Sequence, residues 1–348
     1  MAAPRNISYQ DQLLPSVTLD VTAHPRDLSK VYQDRFKISR VTANRYIHRL
    51  EREGWISRSG PSTHPVYAPG YMRRVSTILP LEGLEEQTPW EALFSRYIAA
   101  PPNVRNIAHH GFTEMLNNAI DHSEGKEVVI HMTQDQSCLS LVVDDDGVGI
   151  FAKIATALDL ADPRQAIFEL AKGKLTTDPS RHSGEGVFFT SRMFDRFSIH
   201  ANGLSYSHDG DSTNDWFLDD AKPKASGTTV FMRISLASTR TTTEVFEQYM
   251  DAPEDVGFNK TVVPMKLAAY GDEQLVSRSQ AKRLISRFDR FKRVMLDFEG
   301  VSEIGQAFAD ELFRVYAREH PDVELMPIKY SEQIERMWLR AVTNRINE

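Results

Sequence analysis

Apolar and polar positions along the chain fall into three stretches with different rhythms. In the first, Leu28, Val31 and Tyr32 recur at i, i+3, i+4 and predict a helix over 25–36. A short turn at 37–38 follows. Ser39 is placed to cap a second helix running to residue 53, with Val41, Tyr46, Ile47 and Leu50 expected on its buried side. Gly54 ends that helix, residues 55–57 read as extended, 59–62 as a turn, and Val66-Tyr67 as a returning strand. In the second stretch, 103–122 has helical periodicity, and strand-like runs follow at 128–132 and 139–143. A polar stretch then leads to a helix over 187–194 and a strand beginning at Gly227. The third alternates strand (261–265, 294–298, 323–326) with helix (279–288, 305–318). A mixed α/β (α+β) chain is predicted, divided near 1–80, 83–237 and 258–345.

Composition adds little to the class but something to the partners. The chain is 41% hydrophobic and 26% charged, which suits a protein with a core to bury. Its one cysteine, Cys138, allows neither a disulfide framework nor a cysteine-based zinc site. No apolar run is long enough to span a bilayer and the N-terminus lacks a signal-peptide core, so no membrane association and a cytoplasmic location are expected. Charge is uneven. Residues 1–80 hold twelve Lys/Arg against six Asp/Glu, a surplus of six, whereas the whole chain has a formal net charge of −7, so the remainder carries −13. Polyanion contact, if made, belongs to that basic head; a merely solvated head is the alternative.

The motifs carry resemblances. Residues 39–56, SRVTANRYIHRLEREGWI, resemble the recognition helix and wing entry of bacterial winged helix-turn-helix regulators. This likeness implies DNA contact through residues 39–68, with Arg40, Thr42, Asn44 and Arg45 near bases or phosphates and Arg58 on the wing. Protein binding is the alternative for such a module. Further on, Glu114-Met115-Leu116-Asn117-Asn118-Ala119-Ile120-Asp121-His122, then Asp145-Asp146-Gly147-Val148-Gly149, then Ser183-Gly184-Glu185-Gly186, then Gly227-Thr228 stand in the order of the N box, two glycine boxes and Gly-Thr strand of the GHKL superfamily. Its members include gyrase-type ATPases, histidine kinases and anti-sigma serine kinases, and the Bergerat sandwich is their common fold. Finally, residues 294–304 look like the central strand and turn of STAS domains. Gly305-Gln306 stand where typical members have Asp-Ser, which argues against phosphoswitching there, and Ser302 reads as a turn residue.

The GHKL resemblance implies ATP and Mg²⁺ as cofactors and assigns roles. Asp145 would accept from the purine amino group, Gly147 and Gly149 would let backbone approach the base, and Thr228 would support the same edge. Asn118 would be the metal ligand, with Asp121 nearby in the same box. Gly184 and Gly186 would present backbone N–H groups at a helix start to the phosphates, with Lys172, Lys174 and His182 offsetting the charge of Glu185. Glu114, one helical turn before Asn118, would be the general base acting on water or on a protein hydroxyl. ATP hydrolysis and serine/threonine kinase activity both stay open. A histidine kinase is disfavoured, because His109 and His110 lie inside the N-box helix rather than on a separate dimerising helix.

Three functions follow from these parts: a transcription regulator whose DNA binding is gated by ATP, an anti-sigma-type kinase docking its partner through the STAS-like part, or a slow ATPase with protein-interaction modules at both ends. A homodimer is compatible with each. The 277–283 run SRSQAKR is expected either to bind an anion or partner or to cap its helix.

Overall fold

The computed structural model describes Tyr9 and residues 13–175, 184–210, 216–219, 226–250, 257–268 and 274–346. Mixed α/β structure is present throughout, as the periodicities predict. The chain forms two compact units, Met1–Asp146 with Phe231–Thr239, and Gly147–Val230 with Arg240–Glu348.

The first unit opens with helices Val17–Ala23, Leu28–Phe36 and Arg40–Arg52, then a hairpin of β1 (Ile56–Ser59) and β2 (Val66–Pro69) in antiparallel register, Ile56 opposite Pro69. Leu13, Val17, Val21, Leu28, Tyr32, Ala43, Ile47, Leu50 and Ile56 form its core. Lys37 takes the left-handed conformation that stops the second helix, and the Ser39 hydroxyl accepts from the Thr42 N–H at 3.2 Å to start the third. Asp20, nearly buried, holds Arg35 through two bonds of 2.7 and 2.8 Å. One expectation fails here: Val41 is 80% exposed. The buried stripe is Ala43, Ile47 and Leu50, spaced i, i+4, i+7, and a residue two positions before Ala43 sits about 200° round the helix from it.

Among the described residues seven strands build the large sheet: β3 (Arg73–Pro80), β4 (Glu127–Gln134), β5 (Cys138–Asp145), β6 (Arg196–Ala201), β7 (Leu204–Asp209), β8 (Trp216–Asp219) and β9 (Thr228–Ser235). In the first unit the order is β3-β4-β5 and then the end of β9. β3 pairs antiparallel with β4, Val75 opposite Met132, so residues 73–80 belong to this sheet and not to the head, where the sequence reading put them. Helix Pro102–His122 packs on β5 through an apolar face that includes Ile107, Phe112, Met115 and Leu116.

In the second unit the order runs from the start of β9 through β6 and β7 to β8. Helices Ile150–Ala157, Arg164–Lys172 and Gly186–Met193 accompany these strands. The same unit contains a separate parallel sheet, β10 (Lys260–Pro264), β11 (Arg293–Asp297) and β12 (Glu324–Ile328), with Lys260 opposite Arg293 and Arg293 opposite Glu324. Parallel neighbours need crossovers, and helix Arg278–Ile285 and the helical run 306–319 supply them. Ser277 and Gln280 form a reciprocal capping box at the first crossover, so the serine of that polar run caps its helix. Helix Glu332–Ile346 ends the described chain. Among the described residues no helix is long and apolar enough to cross a membrane.

Candidate nucleotide site

In the first unit, β5 alternates strictly: Leu139, Leu141, Val143 and Asp145 are buried and the residues between them are half-exposed. The pleat therefore carries the Asp145 carboxylate onto the face of an apolar stripe, where it is 6% exposed. Its two neighbours are employed differently. Asp144 is half-exposed, and the Asp146 carboxylate accepts the N–H groups of Lys126 and Glu127 at 2.7 and 3.0 Å. Those backbone bonds hold Asp146 below the usual carboxylate range. Of three consecutive aspartates, only Asp145 is presented from an apolar wall, and a buried carboxylate there suits a polar donor from a flat apolar ligand.

Helix Pro102–His122 carries Glu114 and Asn118, both half-buried, and Asp121, which is exposed. Spacings of four and three keep Asn118 on the same side as both carboxylates. Next to this row, His110 is half-buried and its imidazole is pulled down to about 4, by burial first and by His109 second. His109 donates from Nε2 to the Gln87 Oε1 at 2.9 Å and lies against the Trp90 ring. Both histidines are packing residues of the helix. A consequence can be measured. Below the ordinary imidazole value of 6.5 the unfolded chain takes up a proton that the folded chain refuses until about pH 4, so stability falls as pH falls through that window. Urea unfolding of the wild type is expected to lose about 2 kcal/mol between pH 7 and pH 5 from this group, and His110→Leu is expected to remove that part of the loss.

In the second unit the glycines have steric reasons. Gly149 has φ +88°, and a Cβ there would stand 2.4 Å from the Asn202 Oδ1. Asn202 fastens this loop from the β6–β7 turn: its Oδ1 accepts the Ala152 N–H at 3.0 Å and its Nδ2 donates to the Val148 carbonyl at 2.9 Å. Thr228, buried at the start of β9, accepts the Ile150 N–H at 3.0 Å on its hydroxyl. The loop Gly147–Ile150 is thus held open by an absent side chain and tied down from both strands. Gly184 has φ +73°, and a Cβ would lie 2.4 Å from the Leu175 backbone. Glu185 precedes helix Gly186–Met193 without capping it through its side chain, so backbone N–H groups open that helix. In the first unit a buried carboxylate on an apolar wall fits the donor edge of a purine; in the second, a helix start after a packed glycine fits an anion.

The family described as histidine kinase-, DNA gyrase B- and HSP90-like ATPase matches residues 103–238. Residues 103–238 are a GHKL-type ATPase domain. The STAS-like domain of unknown function (DUF4325) matches residues 280–335, which cover β11, β12 and the helix before them. No curated protein matches the chain.

Within the GHKL-type domain, two lysines expected near the phosphates are engaged elsewhere. Lys172 is fully buried: its ammonium donates to the Glu169 carboxylate at 2.6 Å and to the Ser286 carbonyl at 2.9 Å. Burial draws it down to about 8, opposed by Glu169. A lysine committed in this way does not face a triphosphate. Lys174 is half-buried, donates to the Arg290 carbonyl at 2.8 Å and lies over the Phe258 and Phe291 rings. Burial lowers it, and the Glu185 carboxylate acts in the opposite sense. His182 and Ser183 lie outside the described residues. The residue missed is Asn202, although its signal was present: Asn-Gly between two alternating runs marks a hairpin with both turn residues at positive φ, and Asn202 and Gly203 have φ of 53° and 77°.

Proposed function

We propose that the protein is an ATP-dependent regulator in which nucleotide bound with Mg²⁺ gates DNA contact by the head. Asp145 accepts from the purine amino group, Thr228 and Gly149 shape the loop beside it, and Asn118 supplies an amide oxygen to the metal. Glu114 serves as base toward the attacking water. The magnesium ion would neutralise phosphate charge; orienting that water is the task of the helix that carries Glu114 and Asn118.

One observation supports the DNA reading above the others: the first turn of helix Arg40–Arg52 is presented to solvent. Arg40 and Arg45 are exposed, Thr42 is half-exposed, and the apolar Val41 is left uncovered between them. An exposed aliphatic residue beside two guanidinium groups, at the second helix of a helix-turn-helix, suits thymine methyl and phosphate contacts. Asn44 is tied to the preceding helix, accepting from the Ser29 hydroxyl at 2.8 Å, and Arg58 is half-buried on β1, so both sit at the margin of this surface. Fluorescence anisotropy on a labelled duplex between 50 and 200 mM salt tests the reading, and each phosphate contact contributes about −0.9 to the log–log slope. The Arg40→Ala, Arg45→Ala double variant is expected to flatten that slope by about 2, and ATP with Mg²⁺ is expected to shift the wild-type affinity. No binding at the lowest salt, or binding indifferent to ATP, refutes gated DNA contact.

The STAS-like domain favours a second reading, a serine/threonine kinase that docks its substrate protein there. Incubation with γ-labelled ATP and a cell extract separates the two: a protein band labelled with the wild type, and not with Glu114→Ala or with extract alone, belongs only to the kinase reading.

A further inference from the structure

The GHKL-type domain leaves one stretch unexplained by nucleotide chemistry: the turn Gly173-Lys174-Leu175 after helix Arg164–Lys172. Gly173 has φ +82°, and a Cβ on it would stand 2.6 Å from the Phe258 ring and 2.9 Å from that of Phe188. Lys174 is also at positive φ, 50°, without being glycine. Two consecutive residues in the left-handed half of backbone space need outside support. Arg287 of the STAS-like domain provides it. One guanidinium nitrogen donates to the Gly173 carbonyl at 2.7 Å and the Lys174 carbonyl at 2.6 Å, while the other donates to the Glu169 carboxylate at 2.8 Å. Arg290 adds a bond of 2.9 Å to the same Lys174 carbonyl. Arg287 is nearly buried and its partner Glu169 also receives Lys172, so these bonds are made out of water, where they are strong.

The turn held in this way reaches the second glycine box in one step. The Leu175 N–H donates to the Gly184 carbonyl at 3.0 Å, and a Cβ on Gly184 would stand 2.4 Å from the Leu175 backbone. Helix Gly186–Met193 begins two residues later. We propose that Arg287 is a positioning residue of the nucleotide site: through the Gly173–Leu175 turn it fixes Gly184 and the helix start that receives the phosphates. The inference rests on the nucleotide reading above. It gives the STAS-like domain a role inside the ATPase unit, because whatever displaces Arg287 loosens the phosphate end of the pocket and leaves the purine end alone.

The discriminating measurement is calorimetric titration of full-length protein with Mg-ATP and, separately, adenosine. Arg287→Lys keeps a cation beside Glu169 but loses the planar fork that spans two carbonyls. It is expected to weaken ATP binding about tenfold and to leave adenosine binding unchanged. Arg290→Ala, at an exposed position, is expected to act in the same direction by about threefold, and it carries the test if the Arg287 variant does not fold. Loss of ATP and adenosine affinity by the same factor, or retention of both, overturns the positioning role while the nucleotide reading stands. A wild type that binds neither ligand overturns both.

Discussion

Asp145→Asn is expected to cost about 10²- to 10³-fold in ATP affinity with little change in melting temperature. The reasoning is one of donors and acceptors. The purine amino group can only donate, and an ionised carboxylate can only accept. An asparagine of the same shape offers one acceptor and one donor, so half its hydrogen-bonding capacity faces the wrong way. The site makes this error expensive, because Asp145 stands at the end of the buried stripe Leu139, Leu141, Val143, with little water to compensate. Isothermal titration with ATP and with GTP reads the outcome. An Asp145→Asn protein that binds ATP like the wild type would show that the purine edge is held elsewhere.

Glu114→Ala is expected to separate binding from turnover. Removal of a positioned general base lowers turnover about 10²- to 10⁴-fold, whereas ATP affinity should move by no more than about threefold. Asn118, one turn further along the same helix, is untouched by the substitution and, on the proposed reading, would still hold the metal. Phosphate release and titration on the same preparation give both numbers. Equal losses in binding and rate would make Glu114 a nucleotide-binding group and leave the base to be found. If the wild type transfers phosphate to a protein hydroxyl instead of water, the same variant should abolish that transfer, since the base does the same work on either nucleophile.

Much of this site is legible in the sequence because its pieces are local. β5 announces itself by period-two alternation, and the Asp-x-Gly-x-Gly that follows needs Gly149 for its φ of +88° and for the close approach of Asn202. The N-box helix, the Ser39 cap and the strands of the C-terminal sheet follow from spacing and from residues that act on their nearest neighbours, whereas the 277–283 run leaves capping and anion binding equally open until the Ser277–Gln280 box is seen. What sequence does not yield is non-local. β3 is legible as part of the large sheet only once β4 is beside it. Helix Arg164–Lys172 hides behind charged residues, because Glu169, Lys172 and Arg164 look solvated until Arg287, 115 residues beyond Lys172, turns the first two inward. Val41 is misplaced for another reason: an apolar residue near a helix start is assigned to the core by habit, although the i, i+4, i+7 stripe of Ala43, Ile47 and Leu50 excludes it.

Glu169, Lys172 and Arg287 bring two positive groups and one negative group into an interior. Such a trio is costly to desolvate and ruinous to break, since deleting one member strands the others. The boundary drawn between two family matches is therefore no seam along which the polypeptide can be cut. A graft of the ATPase portion into another host, ending before Phe258, would bare a lysine ammonium, its carboxylate and the Phe188 ring at once. Evolutionary shuffling of this nucleotide module would have to carry the C-terminal sheet's arginine with it, and the two would be inherited as one piece.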